Sequence, residues 1–241
     1  MTIGGAFPSR RRGGAQQVPR PSDWRPGEPA SWPEPASAVA VAPVAPRLAA
    51  GPLVAPAHPD DFSHPLRPDG SRASAVLAVL VDGPAGAEVL LTRRSAHLSH
   101  HGGEMSFPGG RVDPGEGYAE AALREAHEEV GLPPSAVSVL GALEPINTWV
   151  SRSWIVPIVA RADGQAADWA SLAPATTEVD RVLWVPLVEL TRPGTFREER
   201  WRTDRGELAI SFFELDDETV WGATARILRA VLGAVHGGTP R

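Results

Sequence analysis

Neither cysteine nor lysine occurs in this chain; all 23 basic residues are arginine. Without cysteine there are no disulfides and no thiolate metal sites, which fits a reducing compartment, so a cytoplasmic location is expected. Arginine's planar fork suits phosphate groups, although compositional bias across a genome produces the same uniformity. Long apolar runs are missing too. The Ala/Val-rich stretch 36–57 is interrupted by Pro43, Pro46, Arg47, Pro52 and Pro56. It is neither the apolar region of an export signal nor a membrane span, and no membrane partner is expected. Ser9-Arg10-Arg11-Arg12 has the look of a twin-arginine signal, but no apolar run follows it, and it reads as an exposed basic cluster. Positive charge is also lacking where a nucleic-acid polymer would need it. Residues 70–241 carry 16 Arg against 23 acidic residues, a net of −7, whereas 1–69 carry seven against six. Polymer phosphates are held by clustered basic side chains. The compatible partner is a small phosphorylated molecule whose charge is met by metal ions.

Residues 1–69 hold 14 of the 25 prolines and show no helical or alternating period. That composition predicts a disordered arm, which buries too little apolar surface to offset its ordering entropy. Trp24 and Trp32 are either docking residues for the arm or isolated linker aromatics without a role. Residues 70–236 are expected to form one domain and 237–241 a flexible tail. Apolar and alternating runs predict strands at 75–81, 88–92, 137–143, 154–160, 179–186, 199–203 and 208–215, with Gly/Pro-rich turns between several of them. A short helix is expected over 187–190, and the three-and-four spacing of Val220, Ala223, Ile227, Ala230, Val231 and Ala234 predicts another over 219–235. Strands around well-separated helices imply an α/β class, an α/β/α sandwich on a mixed β-sheet.

The stretch 110–132, GRVDPGEGYAEAALREAHEEVGL, organises the rest. Ala119, Ala122, Leu123, Ala126 and Val130 keep a helical period over 118–130, and Gly131 followed by Pro133-Pro134 supplies the stop. At about 100° per residue, Glu129 lies ~40° round from Glu125, and Glu128 lies ~60° to the other side. Like charges at this spacing cost a few tenths of a kcal/mol each, and the last helical turn already presents negative partial charge. Such a patch is either a solvated acidic face or half of a site for a hard divalent cation such as Mg²⁺.

The whole stretch resembles the Nudix box, G-x5-E-x7-R-E-U-x-E-E-x-G-U. Gly110, Glu116, Arg124, Glu125, Glu128, Glu129, Gly131 and Leu132 fall on the pattern, and Ala126 stands where a bulky aliphatic is preferred. The flanks resemble the coenzyme A diphosphatase branch of that family, in which LLT-x-RS-x-x-L precedes H-x-G-x-V-x-FPGG. Leu90, Leu91, Thr92, Arg94, Ser95, Leu98, His101, Gly103 and 107–110 fit, as do Glu178-Val179, Val185-Pro186-Leu187 and the tail 221–228. Ser99 stands where the branch often has Arg, Met105 where it prefers Val, and 147–154 lacks a Gly-aromatic pair.

The resemblance implies a Nudix-type fold and a metal-dependent hydrolase using Mg²⁺ or Mn²⁺. Its metal ligands would be Glu125, Glu128 and Glu129 with the carbonyl of Gly110, and Glu116 would contact metal through water. Arg124 either orients Glu125 or pairs on the surface with Glu120. Glu178 is either a distal base or ligand, or a loop acid; Glu128 is the other catalytic carboxylate. Arg93, Arg94 and Arg111 either grip substrate phosphates or are solvated surface residues, His101 would be a substrate contact, and His97, His100 and His127 lack ligand spacing. Water would attack a diphosphate linkage while a carboxylate takes its proton, giving 4′-phosphopantetheine and adenosine 3′,5′-bisphosphate from coenzyme A. A Nudix hydrolase for another nucleoside-diphosphate compound and a non-catalytic nucleotide-binding module are the competing readings. The partners implied are a coenzyme A-like diphosphate and no nucleic-acid polymer; a homodimer is admitted.

Overall fold

Two cores lie on either side of one long strand. The computed structural model describes residues 12–49, 68, 70–148, 152–204 and 206–236. In chain order, a two-residue strand β1 (Arg25–Pro26) and a helix α1 (Val41–Ala49) precede β2 (Arg72–Gly83) and β3 (Gly86–Arg94). Then come β4 (Met105–Ser106), β5 (Gly109–Arg111), α2 (Tyr118–Val130), β6 (Val137–Ala142), β7 (Ile146–Thr148) and β8 (Ser153–Gln165). The remainder is β9 (Val179–Pro186), α3 (Leu187–Leu190), β10 (Phe196–Thr203), β11 (Gly206–Glu214), β12 (Thr219–Trp221) and α4 (Gly222–His236).

Alternation along β2 assigns the faces, since successive strand side chains point oppositely. Ala75, Leu77, Val79 and Val81 join Tyr118, Ala122, Ala126 and Val130 of α2 in one core. Ala78 and Leu80 join Leu228, Val231 and Leu232 of α4 in the other. Helix, mixed sheet and helix thus make the expected α/β/α sandwich. β2 runs parallel to β8 and antiparallel to β3 and β5. Because β8 occupies one edge of β2, β5 and β3 share the other: β5 pairs at Ser74–Val76 and β3 at Leu80–Gly83. Between them the Leu77 N–H donates to the Pro108 carbonyl at 2.8 Å. Residues 108–110 therefore run along that edge of β2, beside α2.

The main strands and α2 fall where patterning puts them, and two expectations need correction. The helix expected over 219–235 begins only at Gly222, because Thr219, Val220 and Trp221 pair with Glu214, Phe213 and Phe212. Gly222, at φ +66°, turns the chain from strand to helix. The larger correction concerns the arm. Over 12–49 the chain lies against the domain: Trp32 is 5% exposed and Val41 fully buried. The Trp32 ring meets Phe196 edge-on at 5.0 Å and stacks on Phe213 at 6.1 Å. Arg12 pairs with Glu189, Arg20 with Glu199, and Arg25 with Glu207. The Val41 N–H donates to Asp82 at 2.7 Å, and β1 adds an edge to a second sheet, β1-β10-β11-β12. A proline-rich segment has less conformational freedom to lose, so a few well-placed anchors suffice, and outside α1 an irregular path leaves no period to detect. Residues 1–11, 50–67 and 69, the tail 237–241 and 149–151 lie outside the described residues. Among the described residues, no helix is long and apolar enough to cross a membrane.

Candidate active site

Helix α2 is held at both ends. Glu120 accepts the Gly117 N–H at 2.8 Å, and Gly131, in the left-handed region at φ +77°, donates to the His127 carbonyl. Ala121, Ala122 and Ala126 are fully buried against the sheet, so a small residue at 126 fits a close helix–sheet approach. That approach carries the C-terminal half of α2 over β5.

There the three carboxylates of the predicted patch separate. Glu129 is 6% exposed; its Oε2 accepts the Gly109 N–H at 3.3 Å. Burial pushes its pKa up to about 7, against the lowering effects of that hydrogen bond and of Arg94, while Glu125 and Glu178 push it further upward. Glu125 is half-buried, and burial raises its pKa despite the hydrogen bond from Arg124 Nη1 at 3.0 Å. Glu128 is exposed and accepts from Arg124 Nη1 at 3.2 Å.

Two glycines make the approach possible. A Cβ on Gly110 would lie 2.3–2.8 Å from the carboxylate of Glu125, and one on Gly109 would lie 2.4 Å from the Ala75 carbonyl oxygen. The Glu125 carboxylate therefore rests directly on the backbone of β5. Arg124 ties the region together. Its Nε and Nη2 bind both oxygens of Glu116 at 2.9 and 3.1 Å, and Nη2 also donates to the Arg111 carbonyl at 3.0 Å. These bonds hold the Glu116 carboxyl below its usual range. Arg124 thus orients Glu125 rather than pairing with Glu120, whose carboxylate caps the helix.

Two segments outside the box reach the same place. Glu178, just before β9, lies 3.7 Å from Arg94 Nη2, and both act electrostatically on Glu129. His101, at φ +57°, shares a 3.0 Å hydrogen bond with Glu104 that raises its pKa, an effect opposed by burial and by the nearby Arg94. Arg111 is exposed on β5. Arg93 does not join the expected phosphate grip, because its guanidinium binds the buried Glu218 at 2.9 Å. Sequence reasoning singled out the Gly109-Gly110 doublet as a place of close backbone approach but missed Glu104 and Glu218. A hydrogen-bond partner three residues off and a buried acid in β12's approach carry no visible signal.

Among the described residues, no group of three or more His, Asp or Glu side chains could hold a metal ion by itself. Mg²⁺ does not require one: it keeps several waters and takes one or two carboxylates plus substrate oxygens. A buried carboxylate beside a second one on a bare glycine backbone fits that demand.

A family model described as the NUDIX domain matches residues 71–205. The chain belongs to the Nudix family. Its relatives include an uncharacterized Nudix hydrolase, NudL, of Escherichia coli, 38% identical over 161 residues, covering 66% of this chain and 80% of that protein. The corresponding NudL of Pectobacterium atrosepticum is 39% identical over 168 residues, 68% of this chain and 83% of its own length. A probable Nudix hydrolase of Schizosaccharomyces pombe is 34% identical over 175 residues, 71% and 59% respectively. Among solved structures, a MutT/nudix family protein from Enterococcus faecalis aligns over 70% of this chain and 63% of its own, at 19% identity and a TM-score of 0.46. Nudix hydrolases generally use divalent metal ions.

Proposed function

We propose that this Nudix hydrolase cleaves the diphosphate linkage of coenzyme A or an acyl-coenzyme A, with Mg²⁺ or Mn²⁺, to 4′-phosphopantetheine and adenosine 3′,5′-bisphosphate. The observation that carries the reading is the convergence on Glu129: Arg94 from β3, Glu125 from α2 and Glu178 from the start of β9 all act on its carboxylate. Two residues of the coenzyme A diphosphatase resemblance, Arg94 and Glu178, thus act on the same carboxylate as Glu125 of the Nudix box, and His101 lies near Arg94. Glu125 and Glu129, with the Gly110 carbonyl, would hold the cation, and Glu128 would join through water. A divalent ion bound there supplies charge that polarises the diphosphate oxygens and acidifies a water.

The protein's own part is positional. Arg124 fixes Glu125 through a shared hydrogen-bond network with Glu116. Arg94 and Arg111 offer forked donors to the non-bridging phosphate oxygens, and His101 offers a further donor. Glu178, exposed and close to Arg94, takes the proton of the attacking water. Glu128, which accepts a hydrogen bond from Arg124, is the alternative base.

The enzyme is expected to read the 3′-phosphate weakly, since Ser99 stands where the coenzyme A branch often carries Arg. A charge-assisted hydrogen bond contributes about 1.5–3 kcal/mol, roughly one to two decades in kcat/KM. The test is kcat/KM for coenzyme A, acetyl-coenzyme A, dephospho-coenzyme A and other nucleoside-diphosphate compounds. The coenzyme A thioesters and dephospho-coenzyme A should fall within about tenfold of coenzyme A. Faster turnover of an unrelated nucleoside-diphosphate compound would replace this substrate with the broader one.

A further inference from the structure

Gln16 lies far from the box in sequence, yet it touches the loop that carries His101. Its Nε2 donates to the Gly103 carbonyl at 3.2 Å and to the carboxylate of Glu218; its Oε1 accepts the Thr219 N–H at 2.9 Å. The chain before it is pressed onto the same turn. The Gly13 N–H donates to the Leu215 carbonyl, and the Gly14 N–H donates to Thr219 Oγ1 at 3.0 Å. A Cβ on Gly14 would lie 2.7 Å from the Asp217 carbonyl oxygen. Glu218, 1% exposed, is a fixed anchor, because Arg93 and Arg181 each bind it through Nη1, at 2.9 and 2.8 Å.

The other end of the contact is the loop between β3 and β4. The Arg94 N–H donates to the Glu104 carbonyl, and the Gly103 N–H donates back to the Arg94 carbonyl at 3.0 Å. Gly103 is thus held through its N–H by the strand that carries Arg94 and through its carbonyl by Gln16. His101 and its partner Glu104 flank it. We infer that Gln16 is a positioning residue: it fastens the loop 101–104 to the Glu218–Arg93–Arg181 cluster and so sets where His101 and Arg94 stand relative to the substrate. The inference rests on the diphosphatase reading only for what the loop binds; that Gln16 holds the loop is independent of it.

The full-length protein tests this with Gln16→Ala and Gln16→Glu. The second keeps size but loses the amide donor and places a carboxylate against Glu218. Arg25→Ala, which removes an exposed pair with Glu207 in the same segment, is the control. Two quantities are read: amide exchange of Gly103 and Glu104 by NMR, and kcat and KM for coenzyme A. Loss of one hydrogen bond should raise KM roughly five- to tenfold with kcat within about twofold. Exchange of both amides should accelerate in each Gln16 variant and stay unchanged in Arg25→Ala. Unchanged exchange, or a fall in kcat with KM constant, overturns the inference. If the wild type hydrolyses no coenzyme A, the substrate reading fails, and the Gly103 exchange still decides whether Gln16 holds the loop.

Discussion

At Glu129 two effects disfavour the charged form, and their sizes show which matters more. Repulsion from Glu125 is worth a few tenths of a kcal/mol. Burial, which lifts the pKa from 4.5 to about 7, corresponds to roughly 3 kcal/mol at most between the two protonation states. Burial dominates. A carboxyl whose folded pKa is raised stabilises the fold fully below its unfolded pKa and loses that contribution as pH rises through the folded value. The metal-free enzyme should therefore lose stability between about pH 4.5 and 7, and Glu129→Gln should flatten that slope, as urea melts across the range would show. In saturating Mg²⁺ the wild type gains binding stabilisation and should overtake the variant near neutral pH. Equal responses to Mg²⁺ would remove Glu129 from the metal site. The neighbouring glycines give a second contrast. Gly110→Ala meets only the movable end of Glu125, so it should fold normally yet lose about a hundredfold in kcat from a misplaced carboxylate. Gly109→Ala meets the backbone of β2 and should lower the melting temperature itself. Circular dichroism melts beside steady-state rates separate the two.

At the scale of elements, legibility followed local signal. Helix α2, strand β9 and helix α3 stand at the residues patterning gives them, because each carries its own period, proline or glycine boundary within a few residues. The segment 12–49 offered no such signal. Its anchors, Trp32 above all, find partners at Phe196 and Phe213, which no local pattern connects to it. Composition argues correctly that most of the segment forms no regular structure, but it does not show where the segment attaches. Trp32→Ala should destabilise the domain by about 3–5 kcal/mol, measured by urea unfolding at pH 7.5. A change under about 1 kcal/mol would mean the segment merely rests on the surface. Helix α2 makes the converse case. Ala126→Leu restores the residue type usual in the box but overpacks a fully buried position, costing about 1–3 kcal/mol.

Across the whole molecule, the Nudix box was readable as a list of residues but not as an arrangement. Spacing put three carboxylates on one patch. Tertiary packing then buried Glu129, half-buried Glu125 and left Glu128 to Arg124, because the face of α2 that meets β5 is fixed by its alanines rather than by its charges. Arg94 and Glu178 come from the ends of β3 and β9, which pair with each other, and only the fold could show that they share an electrostatic neighbourhood with Glu129. The central claim is that this neighbourhood hydrolyses a coenzyme A-type diphosphate. The direct test is mass analysis of products after incubating wild type and Glu129→Gln with coenzyme A and Mg²⁺ or Mn²⁺ in oxygen-18 water. The account predicts 4′-phosphopantetheine and adenosine 3′,5′-bisphosphate with one label between them for the wild type, and intact coenzyme A for the variant. Intact coenzyme A with the wild type, or equal product from both proteins, would contradict it.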